Sequence, residues 1–208
     1  MWVRDRTPLL FGALILDVGG VLIETPTRQA RADWERRHGL EPGSLDQIYE
    51  DAIGPGWEGG RHEHEIHERL CRSAGVGLNV LPELLEALHA DERICPIWTD
   101  ALDQIAGRRK LALLTNAGPN TRTTVLPRHG LERWFSLVVI SAEEHLSKPD
   151  IRIYQRTCER LSAAPVECLF VDDRQANVEG AHRAGLTAIR FRSSAETVPE
   201  VLSLLAKA

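Results

Sequence analysis

Short, nearly uninterrupted apolar runs alternate along this chain with longer stretches whose apolar residues recur at helical spacing. Five runs have strand length: ALILD ending at Asp17, LALLT ending at Thr115, LVVI at 137–140, CLFVD ending at Asp172 and TAIRF at 187–191. Each is too short for a helix core and apolar at successive positions, as in strands buried on both faces. Between them, IRIYQRTCERL at 151–161 and ANVEGAHRA at 176–184 place their apolar residues on one helical face. The alternation predicts an α/β fold built on a doubly wound parallel sheet of Rossmann-like type.

One interval breaks the pattern. From 24 to 94 charge is dense and no comparable strand run occurs. Helices are predicted there at 28–38, 44–52, 61–74 and 82–90, with glycine and proline interrupting at 54–60. The expected organisation is therefore an α/β core of residues 11–23 and 95–208, an α-helical subdomain inserted at 24–94, and an N-terminal extension of 1–10.

A length of 208 residues suits one core carrying an insert. Hydrophobic residues at 43% and charged residues at 26% exclude wholesale disorder and give no sign of a membrane span. A net charge of −5 offers no overall positive field to a nucleic-acid backbone, so a small-molecule partner is expected. The densest basic run, Arg108, Arg109 and Lys110, reads as a solvated helix end before a buried strand. The four cysteines form no C-x-x-C pair, which argues against a zinc knuckle or redox motif and fits a reducing compartment. Arg4 and Arg6 before PLLFGALIL give the N-terminus the superficial look of a signal peptide, but the stretch runs into Asp17 and two glycines without a small-residue cleavage site. A cytoplasmic protein, monomer or homodimer, is expected.

The polar residues at the strand ends carry the chemistry. Ligands of open α/β sheets bind outside the carboxyl ends of the strands. Asp17 follows one run, Thr115 and Asn116 another, and Asp172 with Asp173 a third, while Lys148 precedes a helix opened by Pro149. Taken singly, Thr115-Asn116 would also suit a helix N-cap and Lys148 a surface lysine. Three carboxylates around one cation repel each other unless a divalent metal is shared, and hard oxygen ligands select magnesium over zinc.

In this order, LILDVGGVL, LLTNAG, SKPDIRIY and VDDRQANVEGA resemble the four motifs of the haloacid dehalogenase superfamily, over nearly the whole chain. The resemblance implies a hydrolase whose insert is a helical cap over the site, and a small phosphorylated metabolite as substrate. It implies that Asp17 attacks phosphorus and carries an aspartyl phosphate. Mg²⁺ would be held by Asp17, the Gly19 carbonyl and Asp173, with Asp172 in support. Thr115 and Asn116 would hydrogen-bond the phosphoryl oxygens, Lys148 would stabilise their charge, and Asn177 would order the acidic loop.

One departure matters. Where the family usually has a second aspartate for proton transfer, this chain has Gly19. A positioned general acid or base contributes about 10²–10⁴ in rate, so its loss favours an activated ester such as a sugar 1-phosphate or acyl phosphate. Glu24, Glu58 and the histidines His62, His64 and His67 are candidate substitutes in or beside the insert, although the histidines form no H-E-x-x-H and also suit a solvated helix face. The GWEGG segment at 56–60 reads as a specificity loop or hinge. Two other readings stand beside a phosphatase. One is a phosphometabolite-binding or regulatory domain without turnover. The other is a metal-independent 2-haloacid dehalogenase, against which stand Asp172-Asp173 and Gly19 in place of that branch's tyrosine.

Overall fold

A computed structural model describes residues 11–53 and 63–206. The N-terminal extension, Glu58, His62 and the GWEGG segment lie outside the described residues. Five parallel strands form the main sheet: β1 (Ala13–Leu16), β4 (Lys110–Thr115), β5 (Leu137–Ile140), β6 (Cys168–Asp172) and β7 (Thr187–Arg190). Their order is β5-β4-β1-β6-β7, so β1 is central and the chain winds away from it in both directions. All five strands coincide with the five apolar runs.

The runs are continuous because successive side chains enter different cores. Leu14, Leu16, Leu111, Leu113, Leu169 and Val171 point to one face, where they meet Trp98, Leu102 and Ile105 of α5 (Pro96–Ile105) and Val198 and Val201 of α10 (Ser194–Ala206). Ala13, Ile15, Ala112, Leu114 and Phe170 point to the other, against Ile153, Tyr154 and Leu161 of α8 (Ile151–Leu161) and Ala181 of α9 (Gln175–Arg183). Each fully buried leucine contributes about 1.5–3 kcal/mol, which no solvent-facing strand could match.

Four helices fill the interval between β1 and β4: α1 (Gln29–His38), α2 (Ser44–Ile53), α3 (Glu63–Ser73) and α4 (Leu81–His89). They enclose an apolar cluster of their own, centred on Trp34, Leu45, Leu70, Leu84 and Leu88. Glu35 is buried inside it and accepts from the backbone N–H groups of Gly43 and Leu45, both at 2.8 Å, which satisfies its charge at the start of α2. The chain leaves the core through β2 (Ile23–Glu24) and returns through β3 (Arg93–Ile94), and these two strands pair antiparallel. Two short helices, α6 (Val125–His129) and α7 (Ser141–Glu144), flank β5. No helix among the described residues is long and apolar enough to cross a membrane.

Candidate active site

The ends of β1, β4 and β6 lie side by side because those strands are neighbours in the sheet, and they bring Asp17, Thr115 and Asp172 to one edge. Lys148, from the loop between α7 and α8, reaches the same edge and is only 1% exposed. Its Nζ donates to Asp172 Oδ2 at 2.6 Å and lies 2.9 Å from Asp17 Oδ1. An ammonium has three N–H donors, so one remains for a ligand.

The three carboxylates differ in what their oxygens already hold. Asp172 is fully saturated: Oδ1 accepts from Arg174 N at 2.9 Å and Asn177 Nδ2 at 2.9 Å, and Oδ2 from Lys148 and, at 3.1 Å, Asn177. Asp17 Oδ1 accepts from Val18 N at 2.8 Å as well as from Lys148, while Oδ2 has no protein donor among the described residues. Asp173 likewise has no side-chain partner there, and its oxygens approach Gly20. One oxygen from each of Asp17, Asp172 and Asp173 lies within 4.8 Å of the others, a spacing that suits a metal ion. The oxygens free to bind it belong to Asp17 and Asp173.

The electrostatics agree with this division. Burial pushes the Asp17 carboxyl up to about 7; Lys148 opposes the rise and Asp172 adds to it. Asp173 is also raised, by burial first and by Asp172 second. Burial works against the charge on Lys148, yet Asp17 and Asp172 more than offset it and hold the ammonium above its ordinary value. Lys148 is therefore charged, and this one cation, 2.6 Å from Asp172 and 2.9 Å from Asp17, faces three carboxylates. Hard oxygen donors bearing uncompensated charge fit a magnesium ion.

The loop after β1 turns back sharply. Gly20 N donates to Ile23 O at 3.0 Å, and Leu22 N to Val18 O at 3.0 Å. Gly20 has φ +75°, and a Cβ there would sit 2.8 Å from Asp173 Oδ2, so glycine is required by backbone and neighbour alike. Gly19 is different: it is exposed, and a Cβ built on it meets nothing within 4 Å. The position from which the family's second aspartate would act is empty of side chain but not closed to one.

Thr115 is buried, and its hydroxyl has no protein partner among the described residues. Asn116 bonds the Lys148 backbone: its Nδ2 donates to Lys148 O and its Oδ1 accepts from Lys148 N, each at 2.9 Å. Asn177 bonds Asp172 through its side chain, and its own carbonyl accepts from Tyr154 OH at 2.8 Å. Phe170 lies beneath Lys148, its ring centroid 5.6 Å from Nζ. The sequence carried no sign of the Asn116 and Tyr154 contacts, since they join residues far apart along the chain.

Among the proposed proton carriers, Glu24 accepts from Ser194 Oγ at 2.7 Å on the arm leading to the insert. His64 is exposed beside Glu68, and His67 lies 3.8 Å from Glu63. Glu63, at the start of α3, bonds Asn120 in the loop after β4, and Glu50 of α2 lies 3.5 Å from Arg174 beside Asp173. The insert thus touches both loops that flank the carboxylates.

Comparison with known proteins matches residues 11–185 to the family of haloacid dehalogenase-like hydrolases. The chain is similar to a phosphoserine phosphatase of Thermus thermophilus, 36% identical over 138 residues that cover 64% of this chain and 55% of that protein. It thus spans about half that relative's length. In solved structures the fold resembles a dehalogenase caught with an intermediate, at TM-score 0.78 and 19% identity, covering 96% of this chain and 99% of that one. It also resembles a Bacteroides thetaiotaomicron enzyme of the same superfamily in complex with magnesium and inorganic phosphate, at TM-score 0.69 and 19% identity, covering 88% and 94%.

Proposed function

The chain belongs to the haloacid dehalogenase-like hydrolases, and on that premise we propose that it is a magnesium-dependent phosphatase of small phosphorylated metabolites, with Asp17 as nucleophile. The observation that carries this reading is the division of labour among the carboxylates. Asp172 is spent on fixing Lys148, while Asp17 keeps one oxygen unpartnered at the end of the central strand. The phosphoserine phosphatase relative and the magnesium-phosphate complex of the Bacteroides enzyme support it. The free thiols of all four cysteines suit the reducing cytoplasm.

Asp17, the Gly19 carbonyl and Asp173 would hold Mg²⁺, with Asp172 behind them, and the ion supplies positive charge to the phosphoryl oxygens. Thr115 offers its hydroxyl and Lys148 its third N–H to the same oxygens, so positioning and electrostatics supply most of the acceleration. Asp17 bonds to phosphorus through one carboxylate oxygen, leaving the other for the ion, as the bond to the ester oxygen breaks, and the electron pair leaves on that ester oxygen. Water then displaces Asp17 from phosphorus and releases phosphate. No side chain at position 19 can protonate the departing oxygen. Esters whose leaving groups need less help from an acid, such as acyl phosphates and sugar 1-phosphates, are therefore the substrates favoured.

The decisive experiment is phosphate release from a panel of phosphorylated metabolites, with and without Mg²⁺ and for Asp17→Asn. Release that needs both Asp17 and the metal, and is faster for activated than for primary alkyl esters, is expected. Gly19 favours one second reading, a domain that binds phosphometabolites without turning them over. Magnesium-dependent binding with no release from any substrate would establish it. Halide release indifferent to chelation would instead identify a dehalogenase.

A further inference from the structure

The Lys148 backbone lies outside regular secondary structure, between α7 and α8, so no ladder satisfies its N–H and C=O. Both go to Asn116, whose carboxamide mimics a paired strand residue with two 2.9 Å hydrogen bonds across 32 positions of sequence. Neighbouring contacts fasten the same two segments. Ala117 N donates to Ser141 Oγ at 3.0 Å, and Ser141 Oγ donates back to Ala117 O at 3.3 Å. On its far side the Lys148 loop is pressed by α9, where a Cβ on Gly180 would come within 2.7 Å of Pro149 O. The ammonium is thus held at its base by Asn116 and at its tip by Asp172 and Asp17.

We propose that the Asn116 side chain is a positioning group that acts through Lys148, fixing where the ammonium meets the phosphoryl group, and does not itself bind phosphate. The proposal rests on the phosphatase reading above and reassigns one residue within it. Its physical basis is that the carboxamide is turned onto the Lys148 backbone, where both of its polar atoms find their only hydrogen-bond partners among the described residues. Thr115, one residue earlier, has a hydroxyl free for the ligand. A shift of about 1 Å in a group that stabilises developing charge can cost about 10²-fold in rate, so the clamp is worth having even though it touches no substrate.

A double-mutant cycle separates the two roles. Asn116→Ala, Lys148→Ala and the double variant would be compared in kcat/KM for acetyl phosphate and, by calorimetry with Mg²⁺ present, in affinity for inorganic phosphate. We expect Asn116→Ala alone to lower kcat/KM by about 10–100-fold, and to cost less than about twofold once Lys148 is already Ala. Equal losses in both backgrounds would overturn the proposal, because Asn116 would then contact phosphate independently. Should Asn116→Ala fail to fold, Asn116→Ser replaces it in the same cycle; its short neutral side chain cannot bond both Lys148 backbone groups and adds no charge to the phosphate site. Phosphate binding without turnover in the wild type would end the phosphatase reading alone, and the binding cycle would still judge Asn116. A wild type that neither binds nor releases phosphate would overturn both.

Discussion

Gly19 and Gly20 are adjacent and are glycine for different reasons. Gly20 sits in the left-handed region with Asp173 against it, so Gly20→Ala should destabilise the protein by about 1–3 kcal/mol in denaturant unfolding. It should also weaken magnesium affinity, since Asp173 must give way. Gly19 has open space and an ordinary backbone, so Gly19→Asp should fold normally. We expect it to raise turnover of primary alkyl phosphates, by up to about 10²–10⁴ if the new carboxyl reaches the leaving oxygen, with less gain on acyl phosphates. An unchanged ratio between the two substrate classes would show that proton transfer is already supplied by another group. At Asp17 the sign of the pH effect follows from its raised carboxyl. Stability from the neutral form is fully present below the ordinary value of 3.8 and is lost as pH rises towards about 7. In chelator, Asp17→Asn should therefore be more stable than wild type by about 1–3 kcal/mol at pH 8, and the gap should close on acidification to pH 4. Urea midpoints across that range would check it, and saturating Mg²⁺ should stabilise the wild type more than the variant.

At the scale of elements, the sequence was most readable where local chemistry and burial agree. The five strands showed as apolar runs because each feeds two cores, and α1 to α4 showed through dense charge without a strand run and the intervening glycines and prolines. The pairing of β2 with β3 was illegible because two residues per strand carry no period. α10 was obscured by Pro199 within it. Of the site, the strand-end acids and Lys148 could be read as a set, but which acid is saturated could not, because Asn177 and the Arg174 amide decide it through folded geometry. The start of α8 gives a prediction at this scale. Asp150 caps the helix by accepting from Arg152 N at 2.9 Å, and the hydrogen bonds from Arg152 hold its carboxyl down at about 2. Asp150→Ala should cost about 0.5–1 kcal/mol at neutral pH. A depressed carboxyl stabilises above its ordinary value and loses that contribution as pH falls, so the difference should vanish between about pH 4 and pH 2.

Across the whole molecule, the apolar cluster of the insert is separate from the two that sandwich the sheet. Contacts from the insert to the core include polar pairs: Glu50 with Arg174, Glu63 with Asn120 and Glu86 with Arg128. Exposed pairs of this kind contribute little, about 0–1 kcal/mol each, and are screened by salt. The insert should therefore open as a unit of its own. Hydrogen exchange followed by mass spectrometry should show the amides of α1 to α4 exchanging together, with Mg²⁺ slowing β1, β4 and β6 while leaving the insert almost unaffected. Uniform slowing of both would show that they unfold as one body.

The β2–β3 pairing has a consequence for how this chain can change over generations. Ile23 faces Ile94 across the ladder, so everything between them is a detour that begins and ends at nearly the same point. A detour of that kind can be lengthened, exchanged with a relative's, or cut back to a tight turn without moving either end of the framework that holds Asp17 and Lys148. Selectivity for new metabolites could be grafted at this one junction while the chemical machinery is inherited intact.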